Sequence, residues 1–399
     1  MNTFVTPTVA ASGGGSRIFC IAALAAVVLT SATWTYSSAH EKPSGLPPQL
    51  HFGKKWRIVY YEGGPYVNYR GSLEHIVLAL MDMGWIEKSA WPDLPGEENS
   101  SVLWDWMSTR LKSDYLEFIR EGFWSAGWDS SRRGEIREQI LSRISRDQDV
   151  DLILAAGTWA GEDLVPYVHN TPIMVFSTAD PVRAGIIMSP GDSGRDNVHA
   201  WCDPTRIQRR LELFHDLLNF KKLGLIYEDT PDGLAIGHLE VVRETAARRG
   251  FEVAACVAAS SAPSPGEIKA QVGACVDRLA RRVDAFLVTD HRGLSITFLP
   301  EVVRPFMDRG VVTFSPVVGP RLVRRGVVMG IARADYASLG YFYAAVITKI
   351  FHGIKPRDIE QVYKEPLGIA LNAKAAELTG YRIPPNLRKI ADPIFDGIE

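Results

Sequence analysis

The side chains in this sequence that could bind a small polar molecule stand directly after short apolar runs, such as 150–155 and 172–176. The candidate ligand-binding residues are Glu62, Gly63, Thr158, Trp159, Ser177 and Asp180 in the first half of the chain, and Tyr227, Asp229, Thr289, Asp290 and Ser315 in the second half. Hydroxyls donate and accept hydrogen bonds, carboxylates pair with an ammonium group, and helix N-termini favour a carboxylate. The set therefore fits a zwitterion.

The same positions also have a purely structural explanation. Asp, Ser and Thr are preferred at strand-to-helix turns, so Asp180, Asp229 and Asp290 could cap helices instead of contacting a ligand. Trp159 and Tyr227 could stack on a ligand ring or be ordinary half-buried aromatic residues. The sequence leaves these alternatives open for each residue.

Catalytic chemistry has little support in the sequence. Asp290 beside His291, or Glu74 beside His75, could act as an acid and a base, but an Asp next to a single His is more often a capped turn. The chain contains no GxSxG elbow, HExxH motif, Walker-type loop or GxGxxG fingerprint. We therefore predict no catalytic residues and no enzyme activity, with a hydrolase or transferase as the less favoured alternative.

The elements that must position the candidate residues alternate along the chain. The pattern predicts strands at 56–61, 115–128, 150–155, 172–176, 223–227, 251–257, 285–289 and 311–314, with helices between them at 133–144, 205–218, 235–249, 266–281 and 299–309, and a first helix that carries Ile76 and Leu80. Continuous apolar runs indicate strands covered on both faces, as in parallel sheets. We predict an α/β fold of two doubly wound parallel-sheet lobes joined by a hinge, with chain crossings near 198–204 and Arg333. Ligands of such sheets bind beyond the carboxyl ends of the strands.

Residues 91–113 look like an element inserted between two strands of the first lobe. They carry Pro92, Pro95 and Gly96, and a dense aromatic patch at Trp104 and Trp106. We predict that these aromatic side chains pack locally.

The cysteines permit at most one intramolecular disulfide once the N-terminal segment with Cys20 is set aside. Cys256 and Cys275 are the plausible pair, while three buried thiols, including Cys202, fit the sequence equally well. No CxxC or Cys/His spacing indicates a metal. We predict no metal site and no cofactor.

The N-terminus has the layout of a signal peptide, with a weakly charged start up to Arg17, an apolar run over 18–32 and a Ser-Ser-Ala sequence that ends at Ala39. The run is shorter than the roughly 20 residues that cross a bilayer. We therefore expect cleavage after Ala39 and a protein in the periplasm, with an uncleaved membrane anchor as the alternative. The 44 basic and 46 acidic residues nearly balance, which argues against a nucleic-acid partner.

Five segments carry a family resemblance, and each lies at a predicted strand end or crossing. They are 150–158, 177–185, 223–229, 283–290 and 330–340. In this order they resemble the ABC-transporter substrate-binding proteins of the type I periplasmic fold, in the branch that includes aromatic amino-acid binders. The resemblance covers most of 56–399.

The resemblance implies a Venus-flytrap protein whose lobes close on a small-molecule ligand and deliver it to an ABC transporter permease. After the predicted signal peptide over 1–39 and a spacer over 40–51, it implies a first lobe of 52–200 with 334–364 and a second lobe of 201–333 with 365–399. All of the candidate residues except Gly63 and Trp159 would fall on the family's ligand-contacting loops. We expect a monomer, and the alternative role is a ligand sensor that docks on a membrane receptor.

Overall fold

The computed structural model describes residues 45–399 apart from 97, 168, 179, 231–232, 235–236, 260–263, 290 and 333–334. The predicted signal peptide, the start of the spacer and Asp290 lie outside the described residues. Within the described part, no helix is long and apolar enough to cross a membrane.

The strands form two sheets. The first sheet contains β1 (Trp56–Glu62), β2 (Leu116–Ser125), β3 (Leu152–Ala156), β4 (Ile173–Phe176) and β5 (Val198–Ala200). The second sheet contains β6 (Lys222–Tyr227), β7 (Glu252–Val257), β8 (Ala285–Leu287), β9 (Val312–Val318), β10 (Met329–Ile331), β11 (Ile369–Asn372) and β12 (Ile394–Phe395). Their strand orders are β2-β1-β3-β4-β5 and β12-β11-β10-β9-β8-β6-β7. All neighbours are parallel except β10 and β11.

Helices connect the strands and cover the sheets. Those of the first half are α1 (Val67–Asp82), α2 (Ser100–Arg110), α3 (Arg133–Arg146), α4 (Gly157–Leu164) and α5 (Arg206–Leu218). Those of the second half are α6 (Leu239–Arg249), α7 (Pro265–Leu279), α8 (Leu299–Met307), α9 (Arg321–Arg324), α10 (Tyr336–Phe351), α11 (Ala373–Thr379) and α12 (Pro385–Ile390). Because β3 and β4 are buried over their whole length, their apolar runs have no solvent face. The predicted α/β fold with two parallel-sheet lobes is confirmed.

The strand order locates a switch point in each sheet. In the first sheet the chain moves from β1 outward to β2 and then returns to the other side of β1 with β3. In the second sheet it moves from β6 to β7 and then returns with β8. The helices that leave the two central strands at such a point diverge, and a crevice opens between the carboxyl ends of those strands.

The pairing of β10 with β11 is antiparallel, although the sequence pattern predicted only parallel sheets. Between these two strands the chain leaves the second sheet and forms α10, which packs against α1 so closely that a Cβ at Gly340 would collide with the His75 backbone. When the chain returns, it enters the second sheet from the edge where β10 ended. It must therefore run in the opposite direction.

The Trp-containing insert forms α2 and the segment before it. Trp104 is buried, packs edge-on against Phe118 at 5.6 Å, and donates its indole N–H to the Ile119 carbonyl at 2.9 Å. Trp91 and Trp106 form a second edge-on pair at 5.3 Å. The prediction of local aromatic packing is confirmed.

Cys256 and Cys275 form a disulfide that ties β7 to α7, with 5.8 Å between their Cα atoms. Cys202 is a buried thiol whose pKa is raised to about 11, chiefly by burial and then by the nearby carboxylates of Asp180 and Asp203. A thiol with a raised pKa is a weak nucleophile. Cys202 is therefore a packing residue.

Candidate ligand-binding site

The first switch point lies where β1 and β3 end. β1 ends at Glu62 and continues into Gly63, and β3 runs directly into α4. The first turn of α4 contains Thr158 and Trp159, and backbone N–H groups at a helix N-terminus favour an anion. Four of the candidate residues therefore meet at the crevice that the topology opens.

Trp128 stands over this switch point, and the sequence analysis wrongly placed it in a strand over 115–128. The strand ends at Ser125, and Trp128 adopts a left-handed φ of 62°, which is unfavourable for a bulky residue. Its backbone N–H donates to the Gly63 carbonyl at 2.8 Å, and its indole N–H donates to the Pro65 carbonyl at 3.0 Å. A Cβ at Gly64 would lie 2.6 Å from the Trp128 ring, so this position requires glycine.

Trp128 remains 48% exposed although its position is fixed by these bonds. Its ring meets Trp159 edge-on, with 5.5 Å between the centroids, and the Arg133 guanidinium lies 4.6 Å from the Trp159 ring centre on one of its faces. We call Trp128 and Trp159 the ring platform. An ordered, half-exposed indole offers a flat apolar surface to a ligand at little entropic cost.

The Glu62 side chain is hydrogen-bonded to other side chains of the first lobe. Its carboxylate accepts hydrogen bonds from the Tyr60 hydroxyl at 2.8 Å and from the Ser125 hydroxyl at 3.0 Å. Burial raises the pKa of this carboxyl, although its hydroxyl partners oppose the shift. These contacts agree with a structural role, and a ligand contact by Glu62 stays a prediction.

The end of β4 carries two further candidates. Ser177 has a left-handed φ of 54°, and its hydroxyl lies 2.9 Å from that of Ser72 on α1. Asp180 is exposed, and one carboxylate oxygen accepts the backbone N–H groups of Val182 at 3.1 Å and Arg183 at 3.0 Å. Asp180 therefore caps this turn, and its contact with a ligand stays a prediction.

The hydroxyls at the edge of the second sheet are bonded to the sheet itself. The Thr289 hydroxyl donates to the Ile226 carbonyl at 2.9 Å, and the Ser315 hydroxyl donates to the Val288 carbonyl at 3.1 Å. Both side chains are buried. Each hydroxyl thus supplies a hydrogen bond to a backbone carbonyl near the end of a neighbouring strand.

Two other candidates stand at the end of β6, beside the second switch point. Tyr227 is the last residue of the strand and is half-buried, and Asp229 is exposed two residues further on. Asp290, which follows β8 in the sequence, lies outside the described residues. The structure thus brings Tyr227, Asp229 and Thr289 to one edge.

Arg210, which the sequence analysis did not single out, stabilises this edge of the second sheet through buried hydrogen bonds. Arg210 on α5 is buried, donates to the Glu365 carboxylate at 2.7 Å and donates to the Pro316 carbonyl at 2.9 Å. Burial lowers the pKa of Arg210 to about 10 while Glu365 opposes the shift. The guanidinium therefore remains charged near neutral pH and holds the end of β9 against the returning chain.

A histidine next to β6 has a strongly lowered pKa. His238 follows β6, and its pKa is lowered to about 4 by burial first and then by the positive charges of Arg206, Arg210 and Arg183. Arg183 belongs to the loop after β4 of the first sheet. Burial is the main cause of this shift, and arginines from both halves of the chain add to it.

The chain crossings between the sheets run side by side. The Cys202 N–H donates to the Gln361 carbonyl at 2.9 Å, and the Tyr363 N–H donates to the Cys202 carbonyl at 3.2 Å. The Ala332 N–H donates to the Gly368 carbonyl at 3.0 Å. Short paired crossings of this kind are suited to hinge motion, because a few residues can absorb the rotation.

Two surface cavities lie away from this crevice. One of about 530 Å³ is lined by α3 and by the segment around His169, and one of about 320 Å³ is lined by β7 and by Arg278. Neither includes a candidate residue. Among the residues that the structure describes, no cluster of His, Cys, Asp and Glu could hold a metal ion.

A family model for ABC transporter substrate binding proteins matches residues 128–394. A curated tyrosine-binding protein of Clostridioides difficile (strain R20291) is 24% identical over 237 residues, which span 59% of this chain and 64% of that relative. The match thus spans less than two thirds of that relative's length.

Solved structures share the fold at low sequence identity. The ligand-free, open structure of a substrate binding protein with adhesive properties from Clostridium difficile is 18% identical, with a TM-score of 0.65. A domain from Streptococcus pneumonia in complex with L-Trp is 19% identical, with a TM-score of 0.56. Each similarity covers 86% of this chain and 100% of the other.

Proposed function

This chain belongs to the ABC transporter substrate-binding protein family, and we propose that it captures an amino acid or a related small carboxylate between its two lobes and delivers it to the permease of an ABC transporter. The observation that supports this proposal best is the ring platform at the first switch point. A ligand with a ring or apolar group and a carboxylate would match this platform and the adjacent N-terminus of α4.

The proposed ligand contacts follow from the chemistry of the crevice. The ligand ring or apolar group packs on Trp128 and Trp159, and its carboxylate lies near the first turn of α4 with Thr158. Its ammonium group pairs with Asp180 or an acid of the second edge. The proposed site comprises Glu62, Gly63, Thr158, Trp159, Ser177, Asp180, Tyr227, Asp229, Thr289, Asp290 and Ser315 from the sequence, together with Trp128.

Aromatic amino acids are the leading candidates within this class. The relative from Clostridioides difficile is named a tyrosine-binding protein, and the related pneumococcal domain was solved with L-Trp. In this chain the half-exposed Trp128 supports the same choice because flat rings stack on flat rings.

The remaining parts of the proposal concern location and assembly. The protein acts in the periplasm as a monomer, either after signal cleavage or with an uncleaved anchor, and it has no nucleic-acid partner and no catalytic step. The lobes divide as 52–200 with 334–364, and 201–333 with 365–399. The packing of α10 on α1 supports the first division, and the place of β11 and β12 in the second sheet supports the other.

A thermal-shift screen against amino acids, peptides, small carboxylates, nucleosides and sugars tests the proposal. A ligand at about a thousand times its Kd adds roughly 4 kcal/mol to the free energy of unfolding, which is several degrees for a protein of this size. We expect a selective shift with aromatic amino acids and no turnover of the compound. A shift confined to nucleosides or sugars would contradict the ligand class.

Small-angle scattering tests the closure step. With the ligand found by the screen, we expect the radius of gyration to fall as the lobes close about the paired crossings. Identical scattering curves at saturating ligand would contradict delivery by a closing protein.

A further inference from the structure

An almost fully exposed phenylalanine projects from the first lobe at the end opposite the ligand crevice. Phe52 is 95% exposed and lies at the tip of a tight turn in which His51 and Lys54 exchange both backbone hydrogen bonds, at 2.8 and 3.0 Å. The turn precedes β1, so it stands at the amino end of the first sheet. Phe52 and Gly53 both have positive φ, at 49° and 81°.

This conformation is costly for phenylalanine. A two-residue turn with both φ values positive favours Asn-Gly or Asp-Gly, and a bulky residue at its first position is strained. The Phe52 ring contacts the adjacent His51 ring, with 4.8 Å between the centroids, but the residue remains 95% exposed. Exposure of a single apolar residue is ordinary, but a strained backbone that places it in solvent indicates a role outside the fold.

The base of the turn is rigid. The His51 ring stacks on Trp56 with 4.1 Å between the centroids, and Trp56 stacks on Phe351 at 4.4 Å. The Trp56 indole N–H also donates to the Gln49 carbonyl at 2.9 Å. Phe52 is therefore held out from the lobe on a fixed support.

The charges beside the tip are basic. Lys54 and Lys55 are both exposed, and the nearby Asp151 carboxylate is already paired with His51 at 3.3 Å and with Arg57 at 3.1 Å. An apolar tip next to two ammonium groups matches the headgroup region of an anionic bilayer, where the ring enters the interface and the cations meet phosphates.

Along the sequence, the turn lies a short distance after the apolar run 18–32. The described part begins at Gly45, and only residues 33–44 separate it from the apolar run 18–32. Such a segment reaches at most roughly 40 Å when extended. If the run is held in a membrane, the turn therefore stays within reach of the surface.

We propose that the turn 51–54 is a membrane-contact element, in which Phe52 enters the interface of an anionic bilayer while Lys54 and Lys55 contact lipid phosphates. One phenylalanine and two lysines give weak binding on their own. Acting beside a tethered chain, such a contact orients the protein and does not anchor it.

The test places the photo-crosslinker p-benzoylphenylalanine at position 52 of the full chain, reconstituted in vesicles of phosphatidylglycerol and phosphatidylethanolamine. Position 188 is the matched control, because Met188 is 66% exposed elsewhere on the first lobe. We expect lipid adducts at position 52 to exceed those at position 188 at least fivefold. We expect them to fall at least threefold with Lys54→Glu and Lys55→Glu together, or in phosphatidylcholine vesicles.

Equal labelling at positions 52 and 188 would overturn the proposal, and so would labelling at position 52 that does not change with lipid charge. The same crosslinker in intact cells separates a lipid from a protein partner. Adducts with a protein alone would assign the turn to a transporter subunit or another protein and would overturn the bilayer contact.

Discussion

The carboxyl edges of the two sheets carry similar residue types but use them differently. At the first edge, Trp128 is fixed by its own hydrogen bonds while about half of its surface remains in solvent. At the second edge, Thr289 and Ser315 are buried and donate to strand carbonyls. Under the proposed function, we therefore expect the first edge to provide most of the ligand surface and the second edge to contribute more to the stability of its own lobe.

The largest effect on stability is expected from Arg210→Met. The substitution leaves the buried Glu365 carboxylate and the Pro316 carbonyl without their donor, and removing one partner of a buried pair costs about 3–5 kcal/mol. The free energy of unfolding from urea titration measures the loss. The double variant Arg210→Met with Glu365→Leu is the control and should recover more than half of it. A single variant as stable as the wild type would show that the second edge is not supported in this way.

Trp128→Ala should be the largest change in affinity. Loss of a central tryptophan contact costs about 2–3 kcal/mol, which is roughly a 30-fold to 150-fold rise in Kd for the ligand found by the screen. Calorimetric titration measures it, and Trp128→Phe should retain most of the affinity because a ring remains. Trp106→Ala is the matched control, since Trp106 lies in the insert and should affect stability alone. Unchanged affinity in Trp128→Ala would remove the ring platform from the site.

The contrast also shows what the sequence can predict. The apolar runs located the ends of β1, β3, β4, β6 and β7 to within a residue, because a strand covered on both faces must be apolar throughout and its polar continuation marks the edge. The predicted end at residue 314 was wrong, since β9 continues to Val318 and Ser315 lies inside it. The role of a hydroxyl at that edge could not be predicted, because it depends on which carbonyl lies opposite. Thr289 and Ser177 look alike in the sequence, yet one bonds to the sheet and the other to Ser72.

Trp128 escaped the analysis for a specific reason. Left-handed backbone conformations are signalled by Gly, Asn or Asp, and tryptophan carries no such signal. Only a neighbouring residue pair in the sequence reflects the position of Trp128. Gly64 must lack a side chain because the indole lies over it, so the Gly63-Gly64 pair after β1 is the sequence feature that could have indicated a close neighbour. The antiparallel β11 was missed similarly, since direction depends on where the chain re-enters the sheet.

A smaller effect is expected from pH at the second edge. The pKa of His238 is about 4 in the folded protein, below the ordinary value of about 6.5. Between these two pH values, His238 binds a proton in the unfolded chain but not in the folded protein. The contribution of His238 to the free energy of unfolding is therefore fully present above pH 6.5 and is lost as the pH falls towards 4. His238→Asn should remove this component because Asn accepts the left-handed backbone without titrating.

Urea titrations at pH 7 and pH 4.5 measure the difference. The wild type should lose about 2 kcal/mol more than His238→Asn over this interval, given that His238 is only partly buried. His199, whose pKa is also lowered to about 4, titrates in both proteins and cancels. Parallel losses in the two proteins would show that the fold does not disfavour the charged form of His238.

The smallest effect separates the two edges most directly. Thr289→Val keeps the shape of the side chain but removes the donor to the buried Ile226 carbonyl, which should cost about 1–2 kcal/mol of stability and change the ligand Kd less than about threefold. Ser177→Ala at the first edge should show the reverse, with a larger change in Kd and a smaller change in stability. Urea titration gives the change in the free energy of unfolding for each variant, and calorimetry gives the change in Kd. If Thr289→Val weakened the ligand tenfold without loss of stability, its hydroxyl would contact the ligand and the division between the edges would fail.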